Sequence, residues 1–98
     1  MAYSNENYST LIKEVVMAAT TQVAVTKAWV KLSDGDCTVQ ADYAGDFYHI
    51  AINPTAPIGN ASIKLRLDEP VTFAYKTAVY CKLASNSKRT SAPINVIK

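Results

Sequence analysis

Over residues 62–84 the chain alternates apolar and polar side chains with a period of two, three times in succession. Ile63, Leu65 and Leu67 alternate with Lys64, Arg66 and Asp68. Val71, Phe73 and Tyr75 alternate with Thr72, Ala74 and Lys76. Val79, Cys81 and Leu83 alternate with Tyr80, Lys82 and Ala84. Successive side chains of a strand point to opposite faces, so each segment reads as a strand with one buried and one wet face. The expected core is Ile63, Leu65, Leu67, Val71, Phe73, Val79, Cys81 and Leu83. Pro70 cannot donate to a ladder and suits the first residue of its strand.

The same habit extends over most of the chain. Residues 47–52 place Tyr48, Ile50 and Ile52 on one face, and residues 23–32 form a longer strand-like run containing Trp29. Asp34-Gly35 is a turn signal that predicts a hairpin between the run ending at Leu32 and the run over 37–43. Residues 53–60, with two prolines and a glycine, read as a stiff loop crossing between sheets, and residues 85–91 as a polar loop. The final run, 93–97, reads as a short strand ending the sheet. Residues 8–21 fit either a short helix capped by Ser9 or Thr10, with Leu11, Val15 and Ala18 on one stripe, or a strand. Residues 1–8 are polar and read as a flexible arm. Six or seven strands at about ten-residue spacing predict an all-β fold, a small antiparallel β-sandwich or barrel with room for one short N-terminal helix.

A length of 98 residues, 49% of them hydrophobic, is the size and makeup of one domain, residues 1–98. So short a chain hides only about two-thirds of its extended-state surface, which leaves room for stabilisation by a partner subunit. No run approaches the length of a membrane helix, because Lys13, Glu14, Lys27 and Lys31 interrupt the most apolar region. The N-terminus lacks the basic-then-apolar order of a secretory signal, so folding in a cytoplasm is expected. Cys37 and Cys81 are then expected as reduced, buried thiols. The sequons at Asn7 and Asn60 carry no meaning without a secretory route.

Charge is divided along the chain. Residues 1–61 hold three Lys against six acids, a balance of −3, and residues 62–98 hold seven Lys and Arg against two acids, a balance of +5. The basic residues are scattered singly apart from Lys88-Arg89, a poor match to a nucleic-acid footprint. Opposite-signed parts of one small domain suit contact between identical copies.

No constellation of catalytic residues appears. His49 is the single histidine and lies in a strand with no second ligand, nucleophile or orienting acid at local spacing, which reads as a surface position. A Cys37–His49 dyad would need the two to meet across a sheet, and no nucleophile elbow surrounds Cys37. Asp34, Asp36, Asp42 and Asp46 are close enough to raise calcium. However, the loop pattern wants an oxygen ligand where Thr38 stands and glycine where Val39 stands, so they read as solvated turn acids. Glycines 35, 45 and 59 fit no phosphate-binding loop. These readings give no enzyme, no cofactor and no metal. Tyr3, Tyr8, Tyr43, Tyr48, Tyr75, Tyr80 and Trp29 exceed what a small core needs, and tyrosine lines both sugar sites and protein contacts.

The order of elements has a precedent in pattern. A polar, Tyr-containing leader precedes the strand-like run over 21–32. A loop, the alternating run over 63–73, the run over 78–87 with its polar end, and a closing Ile94-Asn95-Val96-Ile97 follow. In this the chain resembles the small β-sandwich virion proteins of tailed bacteriophages. The resemblance covers roughly residues 21–98. It implies a non-enzymatic structural protein of a virion, most readily a capsid decoration or cement protein assembling on the major capsid protein, with a tail or head-fibre component as the alternative. Expected partners are identical copies and a major capsid or tail protein, with no membrane and no specific nucleic acid. Tyr3, Tyr8 and Tyr80 are the expected interface residues. A carbohydrate-binding adhesion module, stacking sugars on Trp29 and the tyrosines, is a further alternative.

Overall fold

The computed structural model describes residues 19–98. They form eight strands: β1 Thr20–Thr26, β2 Val30–Ser33, β3 Cys37–Ala41, β4 Tyr48–Ile52, β5 Ile63–Leu65, β6 Val71–Phe73, β7 Val79–Leu83 and β8 Ser91–Ile97. Two four-stranded antiparallel sheets result, ordered β1-β8-β3-β6 and β2-β7-β4-β5. The all-β fold and the sandwich are as the alternation predicts.

The pairing is nested. β1 pairs with β8, β2 with β7, β3 with β6 and β4 with β5, so the first half of the chain runs antiparallel to the second as one ribbon doubled back after Ile52. Alternate pairs fall in opposite sheets, and the ladders β3·β8 and β4·β7 join them within each sheet. A doubled ribbon rolled in this way is a jelly roll.

Nesting overturns several local expectations. Asp34-Gly35 does turn the chain, but β2 and β3 lie in different sheets and do not pair. Each instead finds its partner far along the chain. Residues 53–60 do not cross between sheets, since they join β4 to β5 within one sheet. The run 23–32 is two strands, broken where the Thr26 hydroxyl accepts the Ala28 amide at 3.2 Å. The final run is a seven-residue strand lying between β1 and β3, not one that ends the sheet. Of residues 8–21, read as helix or strand, Thr20 and Thr21 belong to β1, whereas residues 8–18 of that stretch and the arm over 1–8 lie outside the described residues.

Between the sheets sit Val25, Leu32, Val39, Tyr48, Ile50, Val79, Cys81, Leu83, Ile94 and Val96, each no more than 2% exposed. The expected core is largely met, but the segment over 62–68 departs from a continuous strand. β5 ends at Leu65, and Leu67, with φ +55°, turns its side chain into the core while its carbonyl accepts the Ala41 amide at 2.9 Å. This bend carries the chain from β5 in one sheet to β6 in the other.

Candidate interface

β5 and β6 are the edge strands on one side of the sandwich, and each is only three residues long. The inward residues of β3 and of β4 up to Ile50 are buried, whereas Ile52, Ile63, Leu65 and Val71 toward this side are only partly covered or exposed. A shallow groove of about 860 Å³ opens there, lined by Ile50, Ile52, Ile63, Val71, Phe73 and Tyr75 among others. Ile63, expected in the core, is 65% exposed, and Tyr75 is 70% exposed. Ile63 points inward as its alternation requires, being directly paired with buried Ile50. Its exposure follows from the brevity of β6, which leaves nothing opposite to cover it. Gathered exposed apolar residues occur at protein and membrane contacts, in ligand grooves and at aggregation-prone patches.

The tyrosines separate. Tyr48 is wholly buried, and its hydroxyl has no hydrogen-bond partner among the described residues. Burial pushes its pKa up to about 12. Tyr80, expected at an interface, is 7% exposed within β7, an interior strand, so its ring is already covered in the single chain. Tyr43 is 44% exposed and carries the Arg89 guanidinium over its ring at 3.7 Å. Tyr3 and Tyr8 lie outside the described residues. Tyr75, at the groove, was one of the surplus tyrosines of the sequence but not among the three expected at an interface.

The outer face of the β2-β7-β4-β5 sheet is basic. Lys64, His49 and Lys82 stand in register across β5, β4 and β7. Lys82 Nζ lies 4.6 Å from the Trp29 ring centroid, and Lys64 Nζ lies 4.7 Å from that of Phe47. His49 Nδ1 is 3.0 Å from Ser62 Oγ. Partial burial, then the charges of Lys82 and Lys64, hold the imidazole pKa below its usual value.

The remaining sequence candidates are not brought together. Cys37 faces the core from the other sheet, far from the outward-facing His49, and both cysteines are free, buried thiols. Asp34 pairs with Lys31 at 2.8 Å, Asp36 accepts the Lys76 amide at 2.7 Å, and Asp46 accepts from Arg89 Nε at 2.9 Å. Asp42 accepts from Gln22 and Asn95. Among the described residues no three His, Cys, Asp or Glu side chains gather where they could hold a metal. Among the described residues no helix is long and apolar enough to cross a membrane.

Compared with protein-family models, curated proteins and solved structures, the chain matches none.

Proposed function

We propose that the protein is a non-enzymatic structural component of a bacteriophage virion, a capsid decoration protein that seats on the major capsid protein beside identical copies. The observation that carries this reading is the open side of the jelly roll, where Ile63 and Tyr75 extend an apolar groove between two stunted edge strands. A protein neighbour laid there would cover the groove and cap edge-strand amides that otherwise invite indiscriminate pairing. Jelly rolls serve viral capsid and lectin domains alike, so the topology is compatible with the reading without selecting it. The carbohydrate-binding alternative is weakened at Trp29, whose ring already carries the Lys82 ammonium.

The test is add-back of purified protein to phage particles that lack it. Saturable binding to the capsid shell, lost in Ile63→Asp and Tyr75→Asp but retained in Lys76→Gln, is the expected result. Binding confined to tails or fibres selects the tail alternative. Absence of binding to any particle overturns the proposal.

A further inference from the structure

Four cations of the described chain meet carboxylates: Lys31 with Asp34, Arg66 with Asp68, Lys76 with Asp36 and Arg89 with Asp46. Lys27, Lys64, Lys82, Lys88 and Lys98 pair with none among the described residues, and the first three lie around His49. Lys64 and Lys82 are its direct cross-strand neighbours, and Lys27 lines the same cleft of about 280 Å³ with His49, Asn60, Ser62 and Lys82. Like charges placed opposite one another across a sheet are destabilising. The charges facing His49 from β5, from β7 and from the loop after β1 are therefore all positive, and no carboxylate among the described residues pairs with them.

The hydrogen bonds fix which imidazole nitrogen is available. The Ser62 hydroxyl donates to the Asn60 carbonyl oxygen at 3.2 Å, so its oxygen accepts from His49 Nδ1–H at 3.0 Å. The neutral ring thus keeps its proton on Nδ1 and leaves Nε2 as a bare acceptor. Protonation converts Nε2 into a donor beside the lysine ammonium groups. Such a set of donors matches an oxygen anion and rejects a cation.

We propose that this cleft binds a single oxyanion group, the carboxylate of an acidic polypeptide segment on a partner, and that binding is coupled to proton uptake by His49. Nucleic acid shares the oxyanion chemistry but wants a continuing track of positive charge. Here the flanking cations Lys31 and Arg66 are already paired with Asp34 and Asp68, so the unpaired charge at the cleft is that of Lys27, Lys64 and Lys82 and does not continue as a track. The cleft and the groove between β5 and β6 adjoin at Ser62, which borders both.

His49 is the only histidine, so its ring gives one set of histidine signals in the NMR spectrum of the full chain. Its titration is followed in sulfate and in chloride at equal ionic strength. Sulfate stays dianionic over the range, so any difference reports on the site. Sulfate is expected to raise the His49 pKa by about one unit at saturation, equivalent to about tenfold tighter binding to the imidazolium form. Lys82→Gln should abolish that rise and Lys76→Gln should preserve it, with dispersed spectra showing that both variants fold. Identical titrations in the two salts, or equal responses of the two variants, overturn the site. A Glu-rich peptide and a single-stranded oligonucleotide then distinguish the partner. A saturable 1:1 response to the peptide supports the acidic polypeptide, whereas a response to the oligonucleotide alone, or to neither polymer, overturns that assignment.

Discussion

Ile50 and Ile63 face each other directly in the β4·β5 ladder and point to the same side of the sheet, yet Ile50 is 2% exposed and Ile63 is 65% exposed. The difference arises from what lies across the sandwich. Ile50 is covered by the opposing sheet, whereas Ile63 overhangs the open side beyond β6. Ile50→Ala is expected to cost about 2–5 kcal/mol and Ile63→Ala less than about 1 kcal/mol, measured by urea unfolding. Equal losses would mean that the groove is closed in solution.

Leu67 holds a left-handed backbone conformation that is unfavourable for leucine, and its burial in the core is what offsets the cost. Leu67→Ala keeps the strained backbone but loses the packing, so a loss of about 2–5 kcal/mol is expected. Leu65→Ala, at a partly exposed edge position, should cost less. Denaturant midpoints of the two variants decide the order.

The Tyr48 hydroxyl is buried without a partner, so Tyr48→Phe removes a desolvated polar group and keeps the ring. Stability should be unchanged or raised by about 1 kcal/mol. The phenol is neutral in the fold up to about pH 12, whereas in the unfolded chain it ionises near its ordinary value of 10. The folded state therefore binds more protons above pH 10, and the contribution of Tyr48 to stability is complete below that pH and is lost as pH rises toward 12. Thermal melts across this range should show a smaller alkaline loss in Tyr48→Phe than in the native protein.

Burial pushes the Cys81 thiol up to about 12 and raises that of Cys37 as well, so neither supplies reactive thiolate at neutral pH. Iodoacetamide should leave the folded protein unlabelled at pH 8 and add two labels once it is denatured without reductant, read by intact mass. Rapid labelling of the folded protein would show that the core opens readily.

The alternation over 62–84 and 47–52 was enough to make the chain all-β and to assign the faces of its strands, because side-chain direction in a strand depends on the backbone alone. It placed Tyr48, Ile50, Val79, Cys81 and Leu83 inward, where they lie. It could not say how much opposes an inward face. The exposure of Ile63, the coverage of Tyr80 and the groove beside β5 depend on how far strands from elsewhere in the chain extend. The nested pairing was equally hidden, since the turn at Asp34-Gly35 reads the same whether its strands pair or part into two sheets. The row Lys64–His49–Lys82 draws on three separate strands whose pairing no local pattern announces. Local geometry is written residue by residue, whereas cover and convergence are properties of distant segments meeting, and only the rolled ribbon brings those segments together.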